Sequence, residues 1–347
     1  MKRIMERHKA ITGTLVMVAF LLTTLFVVSH TVYHRSFFAT VIEIYMTVID
    51  REAMYAAYAQ PGYVAYAKAA EDKTTAGTKE KRNLPEAHLK PAGVSMDIPY
   101  YYDYEHGMQV YHFNEDAESD KLIIYYPGGG YINQPLKYHW KIINKLAQEI
   151  GCPILMPVYP KAPDYTCEEA YEIVMAFYLD AIKDREFETL VFMGDSSGGG
   201  MSLVMSQLLR DNHPEAPQPD EIILLSPWMD VSMDNEEAEA VDPVDPMLDV
   251  PGIAVVGQMW AGEKDVHDPM ASPIYGTFEN LGHISIFAST RDILCPDDVK
   301  FSEMLTEQGI DHICVVEEGL NHPYVLFPIP EAKQAQEMII DIINGNY

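Results

Sequence analysis

Basic residues are scarce in this chain of 347 residues: 24 Lys and Arg stand against 52 Asp and Glu, a formal net charge of −28. That balance excludes a nucleic-acid partner, because a phosphate backbone has to be neutralised by Lys and Arg. Solubility is the plain explanation of the acidic excess. Cysteine is scarce too. Cys152, Cys167, Cys295 and Cys314 are too few and too irregularly spaced for a disulfide framework or a zinc site. They read as small buried hydrophobes, with oxidation of one pair left open should the domain lie outside the cell. There is no H-E-x-x-H, no dinucleotide fingerprint and no Lys-Ser/Thr after a glycine run, so zinc-protease, dinucleotide and Walker-type chemistry are not indicated. No metal and no organic cofactor is expected, and no internal repeat is apparent. Apolar material, by contrast, is plentiful: 48% of residues are hydrophobic, enough for one large α/β domain plus an appendage.

The N-terminus departs from this soluble pattern. Lys2, Arg3, Arg7 and Lys9 precede residues 10–29, "AITGTLVMVAFLLTTLFVVS", an uncharged stretch of the length a helix needs to cross a bilayer. The expectation is a transmembrane anchor over 10–29 with a cytoplasmic tail at 1–9 and the remainder outside. Secretion after signal cleavage is the alternative, although no A-x-A site follows the apolar run. A third reading, a buried core helix in a soluble intracellular protein, also stays open.

Phe38, Val41, Ile42, Tyr45, Val48 and Ile49 recur at helical spacing, which predicts an amphipathic helix from 36 to about 58. A polar, Pro- and Gly-punctuated linker follows at 68–93. Short apolar runs then alternate with helical segments. The runs are "KLIIYY" (121–126), "CPILMPV" (152–158), "TLVFM" (189–193), "EIILL" (221–225), "ISIFA" (284–288) and "HICVV" (312–316). Such alternation predicts an α/β fold, a mainly parallel sheet flanked by helices on both faces.

In such a sheet, sites form at the C-terminal edge of the strands. The stretch "VFMGDSSGGG" (191–200) sits there, between a strand and a helix. G-x-S-x-G in that place is a nucleophile elbow, whose strained turn lifts the central serine and needs small residues two before and two after it. Centred on Ser196 the flanks are Gly194 and Gly198; centred on Ser197 the first flank would be Asp195, which would clash. Ser196 is therefore the candidate nucleophile, and the backbone N–H of Ser197 a candidate oxyanion donor.

A serine needs a base and an acid to become nucleophilic. Asp292 in "STRDILCPDD" and His322 in "EEGLNHPYVLFP" each follow a strand, in the chain order Ser, Asp, His used by α/β-hydrolases. Asp297 and Asp298 are read as helix N-terminal caps instead. His312 begins a strand, at the wrong end of the sheet. Gly128, Gly129 and Gly130 in "YYPGGGY" follow the first run, where backbone N–H groups can meet an oxyanion.

These segments together resemble the hormone-sensitive-lipase-like branch of the α/β-hydrolases, which includes many bacterial carboxylesterases. The resemblance runs over residues 97–345 and rests on "YYPGGGYI", "YPKAP", "GDSSGG", "LLSPWMD", "DPMASPIYG", "STRDIL" and "NHPYVLFPIPEA". It implies an α/β-hydrolase fold over 97–347, a triad of Ser196, Asp292 and His322, and an oxyanion hole of Gly129, Gly130 and the Ser197 N–H. It also implies a helical cap, built here from 36 to about 68, within the 36–96 stretch of cap helices and linker, and from an insertion at about 231–266 that holds the acidic "DNEEAEAVDPVDPMLD". One departure is Pro127, where the family usually has the histidine of His-Gly-Gly-Gly; proline offers no N–H and cannot brace the loop as that side chain does. The expected activity is hydrolysis of uncharged, small to medium acyl esters. An amide hydrolase on the same fold and a catalytically silent binding module are the alternatives. The partners expected are the small-molecule ester and, through the N-terminal helix, a membrane.

Overall fold

In the computed structural model, residues 2–32, 34–47 and 89–346 are described, without the side chains of 2–13, 15 and 16. Two helices come first, α1 (Lys2–Thr31) and α2 (Phe37–Thr47). The remainder runs β1 (Tyr100–Glu105), β2 (Met108–Phe113), β3 (Lys121–Tyr126), α3 (Lys137–Ile150), β4 (Ile154–Val158), α4 (Cys167–Ala181), β5 (Thr189–Asp195) and α5 (Ser197–Asn212). It continues with β6 (Glu221–Leu225), α6 (Glu236–Val241), α7 (Val250–Ala261), β7 (His283–Ser289), α8 (Cys295–Glu307), β8 (His312–Glu317) and α9 (Pro330–Ile343).

The eight strands form one sheet in the order β1-β2-β4-β3-β5-β6-β7-β8. β2 pairs antiparallel with both β1 and β4; from β4 to β8 every pairing is parallel. Because successive residues of a strand face opposite sides, Leu122, Ile124 and Tyr126 of β3 join one core and Ile123 and Tyr125 the other. The first core is completed by α4 and α5, and the second by α3 and α9. A smaller cluster seats α8 through Phe301 and Leu305 against β6 and β7. With both faces covered, the six apolar runs of the sequence are strands, as the pattern requires.

Local chemistry sets the helix ends. Gly151 closes α3 in the left-handed conformation (φ 75°) and returns its N–H to Ala147 O. Asp249 starts α7 by accepting from the N–H of Gly252, with Pro251 in the first turn.

The membrane anchor expected over 10–29 is corrected. That segment lies inside α1, and among the described residues no helix is long and apolar enough to cross a membrane. The hydroxyls of Thr23, Thr24, Ser29 and Thr31 each fold back onto a carbonyl four residues earlier. The end of α1 is moreover fastened to the globular part. Ser29 is fully buried, Arg35 donates to Gly319 O at 2.7 Å, and Ser36 Oγ donates to Glu331 at 2.8 Å. Glu43 of α2 lies between Arg35 and Arg291. The topology built on that anchor, tail inside and catalytic domain outside, falls with it. Of the helix expected over 36–58, α2 accounts for Phe37–Thr47; residues 48–58 and most of the expected linker lie outside the described residues.

Candidate active site

The site is built where β5 meets α5. Ser196 occupies the single residue between them, with φ 53° and ψ −126°, a left-handed conformation that a side-chain-bearing residue adopts only under constraint. The constraint is visible. Ser196 N–H donates to Leu225 O at 2.8 Å, and its carbonyl accepts from Gly199, Gly200 and Trp228. The turn is crowded enough that a Cβ on Gly194 would lie 2.2 Å from Gly198 O. Ser197 begins α5, so its N–H belongs to the first turn, where backbone donors have no partner within the helix.

Asp292 and His322 come from loops after β7 and β8 and meet. His322 Nδ1 lies 2.7 Å from Asp292 Oδ2, both side chains buried, while Asp292 Oδ1 accepts from the N–H of Leu294. With Nδ1–H donated to the carboxylate, Nε2 is left as the basic nitrogen. Burial by itself would depress the imidazole, but the charge and hydrogen bond of Asp292 outweigh it and raise the His322 pKa above its ordinary 6.5. Ser196 and His322 share one cavity of about 410 Å³.

Gly129 and Gly130 line the same cavity, with φ of 138° and 60°. A Cβ on Gly129 would come within 2.6 Å of Asn133 O, so the loop requires glycine there. The rest of the wall is largely apolar, including Met46 of α2, Trp228, Leu248, Ile253, Val256 and Phe327. Among the described lining residues there is no lysine or arginine.

Several buried polar residues at the site gave no signal in the sequence pattern. His139 of α3 accepts the Leu136 N–H at Nδ1 and presents Nε2 to Asp195 Oδ2 at 3.1 Å. Asp195 Oδ1 also accepts from the Tyr125 hydroxyl (2.8 Å) and the Gly128 N–H (3.0 Å). Burial would raise the Asp195 carboxyl, yet His139, Tyr125 and Gly128 together hold it below the ordinary carboxylate value. Asp245, inside the acidic run, is buried rather than solvated; it accepts from Met247, Leu248 and Ile293 N–H groups. Burial and the nearby charge of Asp292 push its carboxyl up.

Asp297 and Asp298 do stand in the first turn of α8, but they are not its caps. Both are buried; Asp297 accepts from Asn235, and the oxygens of Asp298 have no partner among the described residues. Burial raises both, Asp297 to about 6. His312 begins β8 and faces Ser302, away from the site. The four cysteines are free.

Lys161 is a buried amine without a hydrogen-bond partner, its Nζ 3.5 Å from the centre of the Tyr159 ring. Burial, partly opposed by Asp195, lowers its pKa from 10.5 to about 7. Between those values the unfolded chain binds more protons than the folded one, so the lysine makes stability rise with pH across that window, and its penalty is fully present below it. Lys161→Met is therefore expected to stabilise the fold by about 1–3 kcal/mol at neutral pH, fading towards pH 10, as read from urea unfolding at several pH values. A variant less stable than the wild type at pH 7 would show that the amine is satisfied.

Comparison with known proteins places the fold and the family. The chain is 25% identical over 221 residues to a triacylglycerol lipase of Mycobacterium tuberculosis, covering 63% of this chain and 46% of that protein, so it spans about half that lipase's length. It is 24% identical over 226 residues to an esterase of Acinetobacter venetianus, covering 63% and 73%. The fold is shared with a crystal structure of an esterase from the bacterial hormone-sensitive lipase family, at a TM-score of 0.67 and 23% identity over 73% of this chain and 86% of that one. Residues 123–326, more than half of the chain, match the family described as alpha/beta hydrolase fold, and the chain belongs to that family.

Proposed function

We propose that this protein hydrolyses uncharged carboxylic esters of small to medium acyl chain through a serine acyl-enzyme. The observation that carries the reading is the placement of Ser196, on a strained strand-to-helix turn, in the same cavity as the Asp292–His322 pair. His322 Nε2 takes the proton of Ser196 Oγ as that oxygen bonds to the ester carbonyl carbon. The carbonyl oxygen becomes an oxyanion, met by the N–H groups of Gly129, Gly130 and Ser197. Collapse breaks the bond to the alcohol oxygen, which leaves with the proton from His322. Water, deprotonated by the same imidazole, then attacks the acyl-enzyme and releases the acid.

The wall supports the substrate class. An apolar cavity of about 410 Å³ without a lysine or arginine among its described residues offers a carboxylate or phosphate substrate nothing to pair with. Met46 of α2 and Met247, Leu248 and Ile253 from the 231–266 insertion form part of it, the role of a cap. The deciding experiment is fluorophosphonate labelling of wild type and Ser196→Ala with the modified peptide mapped. Label on Ser196 that vanishes in the variant is expected. A folded wild type that takes no label would sink the serine mechanism.

A further inference from the structure

The oxyanion donors invoked above come from two separate segments, the glycine loop after β3 and the first turn of α5. Donors of this kind stabilise a transition state only when they are fixed in advance relative to each other. Pro127, which opens the glycine loop, has neither an N–H nor a polar side chain with which to fix it. Its carbonyl is held instead. Tyr159, the residue after β4, is 1% exposed, and its hydroxyl lies 2.8 Å from Pro127 O and 3.2 Å from Ser197 Oγ. A phenol has one proton, and a carbonyl can only accept. Tyr159 therefore donates to Pro127 O and accepts from the Ser197 hydroxyl, so one oxygen joins the glycine loop to the start of α5. The ring is itself confined by Lys161 Nζ at 3.5 Å and by Tyr131, whose centroid lies 6.3 Å away.

We infer that Tyr159 is a positioning residue that clamps the two halves of the oxyanion hole together, so that the N–H groups of Gly129, Gly130 and Ser197 converge on one point. The inference rests on the serine-esterase reading and adds to it a residue that touches no substrate. It acts through the Pro127 carbonyl and the Ser197 hydroxyl.

Tyr159→Phe keeps the ring and removes only the hydroxyl. Because the clamp matters most in the transition state, kcat on a p-nitrophenyl ester is expected to fall about tenfold with KM changed less than about twofold, short of the ~10²–10³-fold cost of losing an oxyanion donor outright. Affinity for an alkyl boronic acid, which forms a tetrahedral adduct on the serine, falls by the same factor as kcat/KM. A merely structural role would lower the unfolding midpoint and leave that affinity alone. Ser197→Ala keeps the backbone donor and cuts the same link from its other end, with about a fivefold loss in kcat, and it carries the test should the tyrosine variant fail to fold. The double variant should be no worse than Tyr159→Phe alone. An unchanged kcat and boronate affinity in a folded Tyr159→Phe would overturn the inference while fluorophosphonate still labels Ser196; absence of that label in the wild type would instead remove the serine reading itself.

Discussion

Asp292→Asn is expected to lower kcat by about four orders of magnitude while leaving the fold intact. The carboxylate lies 2.7 Å from Nδ1 of His322, and in the proposed mechanism it accepts that N–H and so keeps Nε2 free to receive the proton of Ser196. An amide in its place can donate to Nδ1, which drives the imidazole to the other tautomer and occupies Nε2 with hydrogen. The pH dependence gives an independent readout. Only the neutral imidazole can act as base, so kcat/KM of the wild type falls as pH drops through the His322 pKa, which lies above 6.5 because Asp292 outweighs burial. Without that charge the burial is opposed only by the more distant Asp245 and Asp195, so the acid limb of the residual activity moves to lower pH. Asp245 limits the move, since part of what pushes its own carboxyl up is Asp292. A residual kcat above a tenth of the wild type, or an acid limb that stays in place, would remove Asp292 from this role.

How much of this was legible depended on whether the determining contact was local. Six of the eight strands showed as apolar runs: β3 to β7 because a parallel sheet buried on both faces has few polar positions to interrupt them, and the edge strand β8 through its half-buried Ile313, Cys314 and Val315. The two missed strands lie at the other end of the sheet. The edge strand β1, "YYYDYE", exposes nearly every side chain, and β2, "MQVYHF", is buried throughout yet carries Gln109 and His112, so neither alternates. Ser196, Asp292 and His322 could be picked out because each follows the end of a strand, a position readable from the run before it. His139, Tyr159 and Asp245 could not. Their partners Asp195, Pro127 and Ile293 stand 56, 32 and 48 residues away, and only the folded sheet brings them together. The N-terminal helix shows the converse failure: length and apolar content pointed to a bilayer, while the fastening of Arg35 and Ser36, just beyond it, to Gly319 and Glu331 is a tertiary fact that no local pattern records.

Gly198→Ala is expected to cost more than about 4 kcal/mol, in practice the loss of the folded protein. The added Cβ would sit 1.9 Å from Tyr126 O and 2.9 Å from the Pro127 carbonyl carbon. Both obstacles are backbone, at the end of β3 where Tyr126 is registered against Gly194 of β5, so nothing flexible can give way. Gly130→Ala separates this crowding from simple backbone preference. It has open space around its Cβ but a φ of 60°, and should cost only about 1–2 kcal/mol. Urea midpoints of the two variants, measured beside the wild type, test the difference. The same contacts explain why the serine between Gly194 and Gly198 is the one lifted. Packing these two glycines against β3 and against each other leaves residue 196 at the crest of the turn with φ 53°, and a side chain at either flank would have to push that crest away from the sheet. Should Gly198→Ala fold with an unchanged midpoint, the turn would be looser than this packing requires, and the crowding would no longer account for the placement of Ser196.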